Sequence, residues 1–425
     1  MLAKLKKKLG NTVPYLVEGI FFKKLWSLIK HCFTTLRKKL DGFLAGLARR
    51  SLSKKTEINP KKILFTTFQG DYTCNLKYIT EELLRQQVDC EIVWAVRESS
   101  FRSPHLFPAG VKLVQKGKYE YFREWCSAKV IVVNSVETFA SYMPKKQGQF
   151  LLQTWHGSLG IKRFGKDKFW TLLNAAKKMA PLTDAIVSNS SFEDAVYKDT
   201  FWDKTPIWQF GHPRNDILIP TDGNAGLRER LAKKVREEYG IGEDEKVVLY
   251  APTFRNACNV DCYSIDPRML TEAFEKKDGC RWRLVIRLHP TVRKMSRSMP
   301  LLRDRNVIDA TLYPDIQELM LVADAFITDY SSCIFDFVLS RRPGFIFATD
   351  IELYNNERGF YYRLEDTPFP VATNNQELLA NVEAFDERAY LDRVEEFLKE
   401  KGCVEDGCAS ARVVEKIAEI MENKD

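Results

Sequence analysis

Two of the five histidines in this 425-residue chain stand near the ends of hydrophobic runs, where reacting side chains are commonly placed. His156 precedes a glycine after the run over residues 150–155, and His289 precedes a proline in the run over residues 282–290. A histidine can take the proton of an attacking hydroxyl, and an arginine such as Arg287 can stabilise phosphate charge. Together these residues predict phosphoryl transfer, although a lone histidine is more often structural.

A third polar cluster ends another hydrophobic run. Asp329, Ser331 and Ser332 close the run over residues 325–332 and precede a helical-looking stretch over residues 333–340. Hydroxyls and free backbone N–H groups at a helix start bind anions, so this cluster suits a pyrophosphate. The alternative is that one of these side chains only caps the helix.

Strands must position these residues, and short β-branched or aromatic runs predict them. The first series lies at residues 63–68, 91–96, 111–114, 129–134, 150–155, 185–190 and 206–211. The second series lies at residues 247–253, 282–290, 306–309, 325–332 and 344–349. The runs lack clean alternation and are separated by helical stretches, as in parallel sheets that are buried on both faces.

Two such series predict an α/β protein with two Rossmann-like domains that divide near residues 217–240. We expect a basic amphipathic helical segment at residues 1–58, an N-terminal domain at 59–225 and a C-terminal domain at 226–425. Parallel sheets bind ligands beyond the carboxyl ends of their strands, where the three polar clusters fall. His156 and His289 would then face each other across the cleft between the domains.

Positive charge is concentrated at the N-terminus. Residues 1–55 contain fourteen Lys and Arg against two acidic residues, a net charge of +12 in a chain whose total is +8. The remainder therefore carries −4, which disfavours a nucleic-acid partner. Apolar residues over 25–47 recur at helical spacing, so this helix is predicted to lie either on an anionic membrane or on the protein's own body.

The sequence also sets expectations about membranes, thiols and metals. It shows no run of about 20 apolar residues and no signal peptide, which predicts peripheral contact with a membrane. The ten cysteines are irregularly spaced without zinc-site patterns, so we expect free thiols in a reducing cytoplasm. No Asp-x-Asp pair ends a strand, and we predict neither a metal ion nor another cofactor.

Six blocks of sequence carry a resemblance to a known family. They are LLQTWHGSLGIKRFG (151–165), GHPRNDIL (211–218), APTFRN (251–256), IRLHP (286–290), DIQELMLVADAFITDYSSCIFDFVLSRRP (315–343) and DIELYNNERGFYY (350–362). Together, and in this order, they resemble the CDP-glycerol glycerophosphotransferases of teichoic-acid and capsule synthesis. The likeness extends from about residue 63 to residue 412.

The resemblance implies a GT-B fold, in which two Rossmann-like domains face each other across a cleft. The acceptor would bind the N-terminal domain, and the CDP donor would bind mainly the C-terminal domain. The matching motifs imply His156 as the catalytic base and His289 as a second active-site histidine beside the donor. They place substrate-binding roles on Lys162, Thr253, Arg255, Arg287, Asp329, Ser331, Ser332, Arg358 and Gly359.

Other positions are similar to the family or depart from it. Gly70 and residues 75–78 are similar to the segment that faces the acceptor in the family. His212 stands where the family usually has an apolar residue or a tyrosine, and we interpret it as structural. Arg363 stands where an acidic residue is common.

Residues and resemblance together predict transfer of glycerol phosphate from CDP-glycerol to a hydroxyl of a membrane-linked acceptor, with release of CMP. The reaction would serve teichoic-acid-like or capsule polymer synthesis at the cytoplasmic face of the membrane. Alternatives are a CDP-ribitol ribitolphosphotransferase and a GT-B glycosyltransferase that uses a nucleotide sugar. A non-catalytic membrane-associated binding module is a further alternative, but it would not need two histidines and an arginine at strand ends.

Overall fold

The computed structural model describes residues 46, 48–68, 70–136, 145–160, 163, 170–253, 263–289, 299–351 and 360–423. Apart from Gly46, the predicted amphipathic helix over residues 25–47 lies outside this part of the chain. Residues 48–55 are helical, and Leu52 packs against a hydrophobic core. None of the described helices is long and apolar enough to cross a bilayer.

Seven strands form the first sheet. They are β1 (Asn59–Thr66), β2 (Glu91–Val96), β3 (Lys112–Gln115), β4 (Ala128–Val133), β5 (Phe150–Gln153), β6 (Ala185–Ser188) and β7 (Ile207–Gln209). All neighbouring strands pair in parallel, in the order β3-β2-β1-β4-β5-β6-β7. The carboxyl ends of the strands therefore meet at one edge, where His156 follows β5.

The strands of this sheet are covered on both faces. Along β1, Ile63 and Phe65 pack in one buried cluster, while Leu64 between them packs in another. Successive side chains of a strand point to opposite faces, so each position of a doubly covered strand needs an apolar residue. This requirement explains the uninterrupted hydrophobic runs in the sequence.

Six strands form the second sheet. They are β8 (Glu245–Tyr250), β9 (Arg281–Ile286), β10 (Val307–Asp309), β11 (Ala325–Thr328), β12 (Gly344–Phe347) and β13 (Val371–Ala372). They also pair in parallel, in the order β10-β9-β8-β11-β12-β13. Two parallel sheets with intervening helices confirm the predicted α/β fold class. The short β13 was not predicted.

The helices connect and cover the strands. Those with assigned bounds are α1 (Cys74–Arg85), α2 (Glu98–Phe101), α3 (Tyr119–Ser127), α4 (Trp170–Met179), α5 (Ser191–Lys198), α6 (Ala225–Tyr239), α7 (Pro267–Asp278), α8 (Ile316–Val322), α9 (Cys333–Phe337), α10 (Asn375–Glu383), α11 (Glu387–Glu400) and α12 (Ala409–Glu422). Helix α6 stops at Gly240, whose left-handed φ of 61° suits glycine. The predicted helical stretch over residues 333–340 is α9 followed by a 3₁₀ turn.

The last helix returns to the first sheet. Val413 and Ile417 of α12 are buried in the same cluster as residues of β1 and β2. Asp216 lies in the 3₁₀ segment Pro213–Leu218, between the two sheets, and accepts the backbone N–H of Ser410 at 2.7 Å. The connection between the halves and the start of α12 are thereby tied together.

Candidate active site

His156 lies in the turn that follows β5. Its Nδ1 atom is 2.6 Å from the carbonyl oxygen of Asn134, which follows the neighbouring strand β4. A carbonyl oxygen can only accept a hydrogen bond, so we assign the proton to Nδ1 and the lone pair to Nε2. This tautomer suits a general base, because Nε2 can accept the proton of a hydroxyl.

The surroundings of His156 keep the ring neutral. Solvent reaches the imidazole, yet protein atoms crowd around it, and the Phe68 ring stacks with its centroid 6.1 Å away. Desolvation lowers the pKa of His156, and the hydrogen bond to Asn134 opposes this effect in part. Electrostatic interaction with Arg214, and to a smaller extent with His212, also lowers the pKa of His156, which lies below its ordinary value of 6.5. The base is therefore unprotonated at pH 7.

The turn that carries His156 is strained and held in place. Trp155 has a φ of 51°, a left-handed conformation that costs a non-glycine residue about 1–3 kcal/mol. The backbone N–H of Trp155 donates to Gln153 Oε1 at 2.9 Å, and its backbone carbonyl accepts from Asn75 Nδ2 at 3.2 Å. The same Asn75 amide donates to the Thr154 carbonyl at 3.0 Å. These contacts fix the backbone on the amino-terminal side of His156.

Asp329 follows β11 in the second half and is almost fully buried. Its carboxylate accepts the backbone N–H of Thr253, at 2.9 and 3.1 Å, and that of Tyr330 at 2.6 Å. These bonds link the end of β8 to the end of β11. Asp329 thus shapes the loops at this edge of the sheet, while its predicted contact with the donor stays a prediction.

Ser331 and Ser332 lie half-buried at the start of α9. Ser331 Oγ accepts from the Cys333 thiol at 2.9 Å and, at a long 3.4 Å, from the Cys333 backbone N–H. Ser332 is the residue before the helix, and its side chain makes no capping hydrogen bond. Capping alone, the alternative interpretation of this cluster, therefore does not account for the Ser332 hydroxyl.

Arg287 and His289 follow β9 at the same edge of the second sheet. Arg287 donates from Nε to the Tyr313 carbonyl and from Nη2 to the Pro314 carbonyl, both at 3.3 Å. Burial lowers the pKa of Arg287, but a guanidinium stays protonated in proteins. His289 is half-buried two residues further on. The structure thus gives the edge beyond β9 a fixed positive charge.

Several predicted site residues cannot be placed. Lys162, Arg255, Arg358 and Gly359 lie outside the described residues. Next to two of them, Arg163 donates from Nε to the Phe360 carbonyl at 3.0 Å. Thr253, which directly precedes the part of its motif that lies outside the described residues, is buried, and its carbonyl accepts from Tyr263 Oη at 3.2 Å. Through the bond between Arg163 and the Phe360 carbonyl, the loop of the motif at residues 151–165 contacts the loop of the motif at residues 350–362.

Arg214 and Asp336, neither of which had a predicted role, join the two halves beside His156, together with Asn75 of the predicted acceptor-facing run. Arg214 donates from Nε to Asp336 of α9 at 2.9 Å and from Nη2 to the carbonyl of Gly157. Asn75 accepts the Arg214 backbone N–H at 3.1 Å. GHPRND had marked the region of Arg214 as a family block, but no sequence signal paired it with Asp336.

The segment predicted to face the acceptor is divided in the structure. Gly70 has a φ of 73°, and a Cβ there would lie 2.5 Å from the backbone nitrogen of Arg97, so only glycine fits. Asn75 supports the His156 turn. Lys77 instead points to the second half and pairs with Asp315 at 2.7 Å, as does the Tyr78 hydroxyl at 2.9 Å.

His212, interpreted as structural, is completely buried. Its Nε2 lies 2.9 Å from Glu193, and its backbone N–H donates to Glu405. The same Glu405 carboxylate accepts from Asn215 at 2.7 Å. Within the described residues, no group of three His, Cys, Asp or Glu side chains could hold a metal ion.

A cavity of about 550 Å³ lies at the other end of α1, away from the histidines. Its walls include Glu82, Arg85, Asp216 and Arg230. Of the described residues predicted to lie near a substrate, Tyr78 of the run 75–78 lines it, but none of those predicted to be catalytic or to bind the donor does. The chemistry therefore has to be sought at the strand ends rather than in this cavity.

Comparisons with known proteins bear on what this edge does. Residues 47–419 match the model of the family described as CDP-Glycerol:Poly(glycerophosphate) glycerophosphotransferase. A teichoic acid glycerol-phosphate transferase of Staphylococcus aureus is 29% identical over 382 residues, which cover 84% of this chain and 93% of that protein. A teichoic acid poly(glycerol phosphate) polymerase of Staphylococcus epidermidis is 28% identical over 84% of this chain, which spans only 50% of that protein.

A solved structure extends the comparison to the fold. The wall teichoic acid polymerase TagF, in a variant soaked with CDPG, superposes with a TM-score of 0.75 at 26% identity. The match covers 91% of this chain and 98% of that one. The predicted arrangement of two facing Rossmann-like domains is confirmed by this likeness.

Proposed function

This chain belongs to the CDP-glycerol:poly(glycerophosphate) glycerophosphotransferase family, and we propose that it transfers glycerol phosphate from CDP-glycerol to an acceptor hydroxyl and releases CMP. The observation that carries the proposal is His156, whose Nδ1 is held by Asn134 so that Nε2 can act as a base. Arg214 joins its turn to the helix that follows Ser332. A base held beside a phosphate-binding turn is what an attacking hydroxyl requires.

In the proposed step, Nε2 of His156 takes the proton of the acceptor hydroxyl, and the hydroxyl oxygen attacks the β-phosphorus of CDP-glycerol. A P–O bond to the acceptor forms, and the bond to the bridging oxygen breaks, so CMP leaves with that electron pair. Arg287 and His289 would stabilise the charge that develops on the pyrophosphate. The proton on His156 passes to solvent after the product has left.

Donor binding is assigned to the second half. The contacts of Arg287 with the Tyr313 and Pro314 carbonyls use two of its five N–H groups and orient the guanidinium. The hydroxyls of Ser331 and Ser332 lie at the neighbouring strand end. An oriented guanidinium and hydroxyl donors together match the oxygens of a pyrophosphate.

The acceptor is proposed to be lipid-linked, at the cytoplasmic face of a membrane. Support comes from the net charge of +12 on residues 1–55 in a chain whose remainder is acidic. Each basic residue close to an anionic membrane surface contributes about 1 kcal/mol of attraction. A peripheral association of this kind would bring the site to its acceptor without a spanning helix.

The test uses the full chain with a lipid-linked acceptor and, in separate reactions, CDP-glycerol, CDP-ribitol and a set of UDP-sugars. Nucleotide release and the mass of the product are measured. We expect CMP from CDP-glycerol and a product heavier by glycerol phosphate. Preference for CDP-ribitol would change the donor, release of UDP would identify a glycosyltransferase, and no nucleotide release from any donor would refute an enzymatic role.

A further inference from the structure

The guanidinium of Arg214 connects two turns that belong to different halves of the molecule. It is only 3% exposed, and it forms a two-pronged pair with Asp336, from Nε at 2.9 Å and from Nη2 at 3.1 Å. The same Nη2 donates to the carbonyl of Gly157, the residue directly after His156. The Arg214 side chain therefore fixes the carboxyl-terminal side of the turn around His156 (residues 154–157), here called the base turn, to the second half.

Asn75 holds the amino-terminal side of the same turn. Its amide donates to the carbonyls of Thr154 and Trp155, and its Oδ1 accepts the backbone N–H of Arg214. Asn75 is fully buried, and these three hydrogen bonds of its side chain go to the turn or to Arg214. The strained Trp155 is thus clamped from the same network that reaches Asp336.

On the donor side, Asp336 lies one helical turn beyond Ser332 in α9. Its Oδ2 also accepts from Gln317 Nε2 of α8 at 3.1 Å, so its position is fixed within the second half. The turn after His156 closely approaches the turn that contains Ser332: a Cβ added to Gly160 would lie 3.7 Å from the Ser332 Cβ. The network therefore spans the gap between the base turn and the phosphate-binding turn.

We infer that Arg214, together with Asn75 and Asp336, is a positioning device that sets the placement of His156 relative to the donor turn without contacting substrate. The inference rests on the proposed function for its kinetic consequences. An Arg–carboxylate pair with two parallel bonds fixes orientation as well as distance, and a lysine cannot reproduce it. A misplacement of about 1 Å at such a site costs on the order of a hundredfold in rate.

Two variants separate geometry from charge. Arg214→Lys keeps the positive charge but loses the two-pronged pair, and we expect kcat to fall about 10- to 100-fold while the Kd for CDP-glycerol changes less than about threefold. Arg214→Gln removes the charge as well. Turnover is followed by CMP release, and donor binding is measured by calorimetry on the same preparations.

The second readout is the titration of His156, which needs no substrate. Arg214 and His212 are the titratable groups that act on this ring, beside the aromatic ring of Phe68 and the Asn134 carbonyl. Loss of the Arg214 charge should raise the pKa of His156 in Arg214→Gln, and Arg214→Lys should leave it nearly unchanged. NMR of protein labelled at histidine, assigned with a His156 variant, measures both.

Arg342→Gln is the matched control. Arg342 is a largely enclosed arginine whose guanidinium bonds to the carbonyls of Met320 and Leu321 within the second half. Its loss should lower stability but leave kcat per folded molecule and the His156 titration as in the wild type. Because none of its hydrogen bonds reaches the first half, it reports what loss of a half-buried structural arginine does on its own.

The outcomes are distinct. Reduced kcat with unchanged donor affinity in Arg214→Lys, and a raised pKa of His156 in Arg214→Gln, support the positioning device. Wild-type kcat in Arg214→Lys, or a fall in kcat matched by Arg342→Gln, overturns it. A wild-type chain that releases no CMP from CDP-glycerol refutes the proposed function instead, and the histidine titration then decides alone whether Arg214 acts on His156. If Arg214→Gln does not fold, Asp336→Asn provides the second variant: it weakens the pair while Arg214 keeps its charge, so kcat should fall as in Arg214→Lys and the His156 titration should stay as in the wild type.

Discussion

Two buried ion pairs join the halves of this molecule, and they differ in what else they touch. Lys77 of α1 pairs with Asp315 at 2.7 Å and also with Glu318 of α8. Arg214 pairs with Asp336 of α9 at 2.9 Å. All of these side chains are at most 6% exposed, so both pairs have paid the same kind of desolvation cost.

The side chains around Lys77 bond mainly to one another, and we call them the closed cluster, although the backbone carbonyl of Tyr313 also accepts from Arg287. The Tyr78 hydroxyl donates to Asp315, the Tyr313 hydroxyl donates to Glu318, and Lys234 reaches Glu318 at 3.2 Å. The Arg214 pair is open, because its guanidinium continues to the Gly157 carbonyl beside His156. The other contacts of a buried ion pair therefore indicate its role. The Lys77 pair should hold the two halves together, and the Arg214 pair should position the base His156.

The largest loss of activity is expected when the base itself is removed. His156→Ala should lower kcat by about 10² to 10⁴, the usual range for a general base. CMP release per folded molecule measures it, and circular dichroism checks the fold. The loss of kcat in His156→Ala sets the upper limit expected for Arg214 variants, because a residue that acts only by positioning His156 should not affect kcat more than loss of His156 itself. Near-normal turnover in a folded His156→Ala protein would remove His156 from the mechanism.

Loss of the donor-side charge should have a smaller effect of another kind. Arg287→Ala or His289→Ala removes a charge-assisted hydrogen bond, worth about 1.5–3 kcal/mol, and should weaken CDP-glycerol binding roughly ten- to a hundredfold. Calorimetry with CDP-glycerol measures this change. If CDP-glycerol binds more weakly to Arg287→Ala and His289→Ala but normally to Arg214→Lys, donor binding and positioning are separate roles. If both donor-side variants bind CDP-glycerol normally, the donor site lies elsewhere.

The pH dependence sharpens the contrast without any mutation. Burial lowers the pKa of His156 below 6.5, so the neutral ring that the mechanism needs persists to a lower pH than in a free histidine. The acidic limb of kcat/KM should therefore lie below pH 6.5 and fall about tenfold per pH unit beneath it. Folding disfavours the charged ring, so protonation of His156 also reduces stability as the pH drops below 6.5. A limb above pH 6.5 would contradict this assignment.

Breaking the closed cluster should affect stability and leave chemistry alone. Lys77→Met leaves the buried carboxylate of Asp315 without its cation and that of Glu318 with only the half-exposed Lys234, and we expect a loss of about 3–5 kcal/mol in the free energy of unfolding. Urea denaturation measures this loss, and kcat per folded molecule should stay within about twofold of the wild type.

Lys234→Met is the matched control for the closed cluster. Lys234 contacts the same Glu318 carboxylate, but its side chain is 53% exposed, so its removal should cost less than about 1 kcal/mol. A fall in kcat of Lys77→Met as large as that of Arg214→Lys would erase the distinction between the two pairs.

The sequence predicted strands far better than it predicted where they end. The run over residues 150–155 was interpreted as one strand, but β5 stops at Gln153. Thr154 and Trp155 are as suited to a strand as their predecessors, and nothing local shows that Trp155 turns to a positive φ. The two-residue β13 gave no signal because so short a strand has no run of its own.

The motifs located the candidate site, but not the contacts that support it. Arg214 and Asp336 are 122 residues apart in the chain, and Asn75 is 139 residues from Arg214. Periodicity and local spacing carry no information about such pairs, which only the packing of two sheets brings together. The resemblance assigned the run 75–78 to the side that faces the acceptor, which stays a prediction, and nothing local indicated that Lys77 pairs with Asp315 of the second half.

A third region, residues 1–47, should contribute neither to stability nor to positioning, and its removal is expected to change turnover least. The cut is placed at residue 48 because the following helix belongs to the body: Arg49 lies 4.5 Å above the Phe122 ring, and Leu52 packs on the first core. Ten of the fourteen basic residues in 1–55 precede this point. The truncated chain should keep kcat on a soluble acceptor analogue within about twofold, while it loses binding to anionic vesicles.

The vesicle experiment distinguishes a membrane segment from a packing segment by its salt dependence. Charges at a membrane surface are screened over about 8 Å at physiological ionic strength, so binding of the full chain should weaken as salt is added. Vesicles of neutral lipid provide the control, because the attraction of basic residues requires anionic head groups. A segment that instead covers the protein body would leave an apolar surface when deleted, and the truncated chain would then aggregate or lose activity on the soluble analogue. Aggregation or lost activity would show that the basic segment is part of the folded body, and indifference of the full chain to anionic vesicles would refute its membrane role.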